Sequence, residues 1–253
     1  MKLPNLIQEI VIFNFINGSR VVNKNGVYIN WGMLWELINP LIIVSGWTML
    51  FYLGIRGGRH DLAYFVFILS LFFGFTQIIT NLIEINLQRK FLEIKSFNIL
   101  VLLISNLTYS SILLFVRMLI VFYVMTFFEF NINYYSILYG ILLIIIFSLC
   151  YGTIALYYLV DKVFLKNLHR IFLTALFIFS SIIIPVSILP EEIRSIVLYN
   201  PLVHLFEWIK EPITGITYSY IDLNYFLNFL ASMILITPIY IWLMDKNRTR
   251  FFN

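Results

Sequence analysis

The residues of this chain that could do chemistry are few and far apart. Glu207 and Glu211 follow His204 at helical spacing, while Leu202, Leu205, Phe206 and Ile209 fall largely on the other side of the same turn sequence. The other histidines, His60 and His169, stand in separate loops, so the clustered imidazoles and carboxylates of a hydrolytic metal site are not in view. None of the 11 glycines is followed by lysine, which excludes a phosphate-cradling loop ending in Gly-Lys-Ser/Thr. A Gly-x-Ser-x-Gly elbow is missing as well. Cys150 is the sole cysteine and lies in an apolar run, as a small packing residue, so neither an internal disulfide nor a cysteine-based metal site is expected.

This pattern points to a chain that performs no covalent chemistry and carries no cofactor or metal of its own. If it moves a solute uphill, the energy comes from an ion gradient or from a partner ATPase. Ion-coupled carriers keep ionisable groups deep in the membrane, because those groups bind and release the ion. Here Arg117 is the one deep candidate; Glu36 and Glu84 stand near the ends of apolar runs and Asp222 begins the last. The balance favours a partner ATPase.

The elements that must position these residues are membrane spans. With 61% hydrophobic and 12% charged residues, the chain is far less charged than soluble domains, which hold roughly 25%. An apolar stretch of about 20 residues crosses the hydrocarbon as a helix. Six candidate spans are read at 33–54, 62–84, 99–128, 134–159, 171–189 and 222–244, an all-α membrane bundle forming a single domain over 1–253. Within it, 33–189 carries spans one to five, 190–221 is an external segment, 222–244 is span six and 245–253 is a tail.

Twelve of the 17 Lys and Arg residues fall on the side of the termini and four (Arg56, Arg59, Arg194, Lys210) on the other, which makes both termini cytoplasmic. The net charge of +4 thus reports topology rather than nucleic-acid binding. In the segment 1–30, Leu6, Ile10, Phe13 and Ile16 can share a helical face, as in an amphipathic helix lying in the cytoplasmic interface. Polar residues interrupt its start where a cleaved leader would need an apolar core.

Three stretches carry more information. The entry to span one, Asn30 to Leu41, sets Trp31 and Trp35 four residues apart as interfacial anchors, and Pro40 opens the helix hydrogen bonding. The charged linker Glu84 to Phe97 is cytoplasmic, compatible with helix, and suited to docking in a groove on a soluble partner. The third is Leu189 to Thr214, too polar to cross, with turn or helix-start signals at Pro190 and Asn200-Pro201. It is either a surface helix or a re-entrant one.

In this order the three stretches resemble the permease subunits of type-2 ABC exporters, most of all the inner-membrane subunit that exports capsular polysaccharide in Gram-negative bacteria. That family has Gly-x-Leu-Trp then Glu-Pro-Leu in span one, matched by Gly32-Met33-Leu34-Trp35 and Asn39-Pro40-Leu41. Its Asn-Leu-x-x-basic opening of the coupling segment is matched by Asn86-Leu87-Gln88-Arg89-Lys90. Its Leu-Pro and Pro-x-x-His-x-x-Glu before the last span are matched by Leu189-Pro190 and by Pro201, His204 and Glu207. The chain departs from the pattern at Asn39, where the family has Glu although Glu36 stands one turn earlier; in its thin basic cluster, represented by Lys24; and in Arg117, which has no counterpart.

The resemblance implies two copies side by side in a bacterial inner membrane, each bound to a separate nucleotide-binding subunit that holds ATP and Mg. Asn86, Leu87, Gln88, Arg89, Lys90, Phe91, Glu93 and Lys95 would form the coupling helix. A polysaccharide or lipid-linked glycan would thread a channel at the permease interface and pass to a periplasmic export partner near Pro201, His204, Glu207 and Trp208. Sugar rings stack on aromatic faces, so Trp31, Trp35, Trp47, Tyr52, Tyr151, Tyr157 and Trp208 are candidates for its lining, beside Glu36, Asn39 and Pro40. Arg117 would either meet an acidic group of the substrate or pair with a polar group of a neighbouring helix. Other substrates for the same machine are O-antigen, teichoic acid or a small drug or lipid. An integral-membrane enzyme acting on lipid-linked sugars is the rival from another class, and it needs an acidic or His-centred site near one interface.

Overall fold

The structure is a computed structural model of the chain. It describes residues 22–24, 27–29, 38–39, 41–43, 45–46, 49, 59–83, 99–127, 134–160, 162–180, 182, 186–214 and 218–247. The architecture is helical: α1 Arg59–Ile83, α2 Ile99–Phe127, α3 Tyr134–Leu159, α4 Val163–Ile178, α5 Glu191–Val197, α6 Pro201–Thr214 and α7 Leu223–Lys246. A 3-10 turn, Val186–Ile188, precedes α5. A small hairpin, β1 Val22–Lys24 against β2 Val27–Ile29, is antiparallel with Asn23 opposite Tyr28.

Four helical stretches are long and apolar enough to cross a membrane: Phe65–Ile83, Leu103–Tyr123, Tyr135–Leu159 and Leu223–Lys246. They correspond to the expected spans two, three, four and six. The first expected span, 33–54, falls mostly outside the described residues, although those between 38 and 49 that are described are helical.

Two expectations need correction. The end of the expected interface segment 1–30 is not helix: Val22–Lys24 and Val27–Ile29 pair as antiparallel strands. The amphipathic part, Leu6 to Ile16, lies outside the described residues. The fifth span, expected at 171–189, is not one continuous helix. Helix α4 starts earlier, at Val163, because no glycine or proline interrupts the sequence through Lys166 and Arg170. It stops at Ile178, and its 16 residues reach only about 24 Å, short of the roughly 30 Å of hydrocarbon.

Helix α1 is the centre of the bundle, packed against α2, α3 and α6. Its spanning stretch is 78% buried, against 22% for α7, which lies at the periphery with Leu235, Ile239 and Trp242 facing outward. Phe67, Phe75, Ile78, Ile79 and Leu82 of α1 are fully buried. Close approach depends on small residues: a Cβ on Gly152 of α3 would lie 2.6 Å from Leu82 Cδ1. Some hydroxyls inside the bundle are satisfied along their own helices, as Ser148 Oγ donates to the Ile144 carbonyl (2.6 Å) and Thr237 Oγ1 to that of Met233 (2.7 Å). That lets them sit in an apolar interior without an unpaired donor.

Depth along the bundle can be read from aromatic contacts. Near the end of α4, the Phe177 ring lies 5.2 Å from Phe72, close to the midpoint of α1. Near the start of α7, Phe226 lies 5.8 Å from Phe147, at the midpoint of α3. Helix α4 therefore ends, and α7 begins, half-way along their neighbours. The remaining half of the bundle at that end is filled by α5, α6 and the turn after them.

Candidate functional site

The unit from Val186 to Asp222 is built around three helix ends. The last carbonyls of α4 find partners just beyond it: Ser180 Oγ donates to Phe177 O (3.3 Å) and Asn200 Nδ2 to Phe179 O (3.4 Å). The same Asn200 accepts the Leu202 N–H at Oδ1 (3.1 Å), capping α6. Pro201 occupies the first helical position, where a missing N–H costs nothing. Asp222 caps α7 by accepting the Asn224 N–H at Oδ1 (2.9 Å).

His204 joins these ends. Its Nδ1 accepts the backbone N–H of Asp222 (3.0 Å), so the ring proton resides on Nε2, which donates to the Leu198 carbonyl (2.8 Å). The Tyr225 ring lies 4.9 Å away, and the Tyr225 hydroxyl donates to Tyr199 O (3.2 Å). His204 is thus a buried strut between the end of α5 and the start of α7.

Of the two expected placements for this segment, surface or re-entrant, helix α6 does not take that of a helix lying on the surface. His204, Glu207 and Lys210 are as buried as Leu202, Leu205, Phe206 and Ile209. The helix is wedged among α1, α3 and α7. Phe206 meets Phe72 edge-on at 6.3 Å, and Trp208 meets Tyr139 at 5.9 Å. Ile209 sits where Gly140 of α3 leaves room: a Cβ there would lie 2.5 Å from Ile209 Cδ1.

The polar side of α6 is accommodated by pairing. Glu207 and Lys210 form an ion pair at 3.6 Å, and Lys210 Nζ stands 5.7 Å over the Tyr218 ring. Tyr218 stacks on Tyr220 at 5.2 Å, and the Arg194 guanidinium caps Tyr220 at 5.3 Å. Arg194 also donates to the carbonyls of Val186 (3.2 Å), Ser187 (3.3 Å) and Leu189 (2.9 Å), which holds the 3-10 turn. The Tyr220 hydroxyl is buried with no hydrogen-bond partner among the described residues. Burial, followed by the charge of Glu207, pushes its pKa up to about 12. Arg194 and Lys210, two of the four basic residues counted on the side opposite the termini, are therefore engaged within the unit itself.

Among the described channel candidates, Arg117 is fully buried on α2 and donates from Nη2 to Gln77 Oε1 on α1 (2.6 Å), so pairing with a neighbouring helix is what is observed. Tyr151 is half-buried in α3, packed on Phe147 and Phe75 and hydrogen-bonded through its hydroxyl to His169 Nε2 (3.1 Å). Tyr157 packs edge-on against Tyr158 and Tyr240. Asn39 is an exposed helical residue. Trp31, Trp35, Glu36, Pro40, Trp47 and Tyr52, and every coupling candidate from Asn86 to Lys95, lie outside the described residues.

The structure brings His204, Glu207 and Trp208 together on one buried helix, and keeps Arg117, Tyr151 and Tyr157 apart from them. Comparison with protein-family models and with curated proteins finds no match to this chain. Sequence reading missed Asn200 as a double cap, Tyr218 and Tyr220 as a stacked pair, and Asp222 as the partner of His204. Only the Asn-Pro start signal and the Tyr-x-Tyr spacing hinted at them. Among the described residues no three His, Cys, Asp or Glu side chains converge as metal ligands. The arrangement is a polar unit packed into one end of the bundle.

Proposed function

We propose that this chain is the membrane subunit of an ATP-driven exporter of the type-2 ABC kind, moving a capsular, lipid-linked polysaccharide across the bacterial inner membrane. Two copies would form the channel between them, with both termini cytoplasmic. A nucleotide-binding subunit would dock on Asn86 to Lys95 of each copy. The reading rests on the ordered set of sequence resemblances from Gly32 to Glu207, which spans most of the chain.

One structural observation supports the transport class in particular: the ends of α4 and α7 stop half-way along their neighbours, with α5 and α6 filling the gap. Non-spanning helices at membrane depth are tolerated where they are buried in protein or line a cavity. A plug of this kind, held by His204 and by the Glu207–Lys210 pair, is a gate that a conformational change could move without breaking a span. On this reading Pro201, His204, Glu207 and Trp208 shape the outer mouth, and the polymer passes from there to a periplasmic partner. Aromatic residues such as Tyr151 and Tyr157 would meet sugar faces only when the helices separate, because in this conformation each is packed against other rings of the bundle.

Co-purification is the test. The tagged chain should bring down an ATPase subunit, and Arg89→Glu with Lys90→Glu should abolish that association and export while leaving the chain in the membrane. Retained export in the double variant, or a chain that never binds an ATPase, overturns the proposal.

A further inference from the structure

A histidine that accepts at one ring nitrogen and donates at the other has a fixed tautomer, and a second proton ends its role as an acceptor. His204 is held in this way: the Asp222 N–H donates to Nδ1 (3.0 Å), while Nε2–H donates to the Leu198 carbonyl (2.8 Å). The residue is only 5% exposed, so water does not stand in for a lost partner. A proton gained at Nδ1 would set two donors, Nδ1–H and the Asp222 N–H, face to face across 3.0 Å. The Leu198 bond would survive and strengthen, because an imidazolium still donates from Nε2.

The acceptor best placed for that new proton belongs to Asp222 itself. Its carboxylate is exposed and caps α7 by accepting the Asn224 N–H at Oδ1 (2.9 Å). A rotation of this residue would present the carboxylate to Nδ1 in place of the N–H, losing that cap and the Tyr225 N–H bond to the Asp222 carbonyl (3.2 Å). The other charged or titratable groups around the ring are engaged elsewhere or stand apart. On α6, Glu207 is paired with Lys210 and Glu211 is exposed. On α5, Arg194 holds the 3-10 turn and the Tyr220 ring, and Glu191 and Glu192 are exposed in the first turn. Tyr218 stacks on Tyr220, and the Tyr225 hydroxyl donates to Tyr199 O. From α3, Tyr139 packs on Trp208, and the stretch Phe65–Ile83 of α1 carries no titratable side chain.

We propose that His204 is an acid-sensitive latch: protonation at Nδ1 releases the Asp222 N–H and draws in the Asp222 carboxylate, which loosens the start of α7 from α6 while the end of α5 stays attached through Leu198. Helix α7 is the element suited to move, because its spanning stretch is 22% buried against 78% for that of α1. The bond exists only with the neutral ring, so the latch is closed at the alkaline end of the imidazole range and opens as pH falls. It stands independently of what the chain transports, and its test reads the latch rather than export.

The experiment follows hydrogen–deuterium exchange of the full chain, purified in detergent, by mass spectrometry. It runs between about pH 8 and about pH 5, where imidazole side chains take up their proton, with rates corrected for the intrinsic pH dependence of exchange. Peptides covering residues 219–226 should lose protection by about five-fold at the acidic end, the worth of one net hydrogen bond, while peptides of α1 keep theirs. His204→Gln takes up no proton, so these peptides should be less protected at every pH and show no acid-dependent step. Asp222→Asn keeps the backbone N–H but removes the charged acceptor, and should move the step to lower pH; an unmoved step takes the carboxylate out of the latch. Protection that stays constant across the range in the unmodified chain, or a step of equal size in His204→Gln, overturns the proposal. The arm with the unmodified chain does not depend on any variant folding.

Discussion

The backbone N–H of Asp222 donates to Nδ1 of His204 across 3.0 Å, tying the first residue before the last helix to the middle of the plug. The other ring nitrogen holds the end of α5 through Leu198 O. A single imidazole thus serves two backbone groups, from two segments far apart in sequence, that would otherwise lack partners.

His204→Phe should therefore keep the ring volume and lose both bonds. Each orphaned backbone group costs roughly 1 kcal/mol or more. Thermal unfolding in detergent should show a lower midpoint for His204→Phe, with His204→Gln intermediate because its amide can still donate to Leu198 O. A phenylalanine variant as stable as the native chain would remove His204 from its proposed position as a strut.

Gly140 and Ile209 form the tightest seat of α6 on α3. Gly140→Ala puts a Cβ into the Ile209 side chain and should destabilise by about 1–3 kcal/mol through overpacking. Ile209→Ala removes both atoms that would clash, Cδ1 at 2.5 Å and Cγ1 at 2.7 Å. In combination the two changes should cost less than their sum, a coupling visible in a double-mutant cycle of unfolding midpoints. Strict additivity would mean that the helix moves away instead of repacking.

Arg117 and Gln77 join α2 to α1 inside the bundle. Gln77→Leu leaves a buried guanidinium short of one acceptor and should cost about 1.5–3 kcal/mol, as for hydrogen bonds to charged groups. Gln77→Leu on an Arg117→Met background should cost much less, because the charge it served is gone. Equal costs on both backgrounds would show that the 2.6 Å contact carries no energy.

Tyr220 should titrate late. A free phenol loses its proton near pH 10, whereas burial and Glu207 hold that of Tyr220 until about 12. Between those values the unfolded chain binds fewer protons than the folded one, so this contribution is full below pH 10 and is lost as pH rises through 12. Tyrosinate absorbance of the native chain minus that of Tyr220→Phe should show a step near the upper value. Tyr220→Phe should not lower stability at neutral pH, because the hydroxyl has no partner among the described residues, while Tyr220→Ala should, by removing the ring between Arg194 and Tyr218.

Much of the fold was legible from composition and run length. Spans two, three, four and six appear within a few residues of their expected places, because an uninterrupted apolar run of sufficient length has one stable form in hydrocarbon: a helix whose backbone bonds are internal. The fifth does not follow this rule. Apolar residues continue past Ile178, but hydropathy records neither where a helix stops nor where the chain returns.

His204, Glu207 and Trp208 were singled out by their spacing, and that spacing also suggested one wet side for their helix. A periodic pattern says which residues share a face, not what the face meets. Tertiary structure decided that His204, Glu207 and Lys210 are buried along with the apolar side of α6, that Asp222 and Leu198 satisfy His204, and that Lys210 turns back to Glu207 and Tyr218. These pairings join residues separated by turns, and only the folded chain brings them within hydrogen-bond reach. The sequence by itself determined a helical membrane chain and the spans its apolar runs can make; packing alone determined that a polar segment could be drawn into the bundle, because buried polar groups are stable only where specific partners meet them.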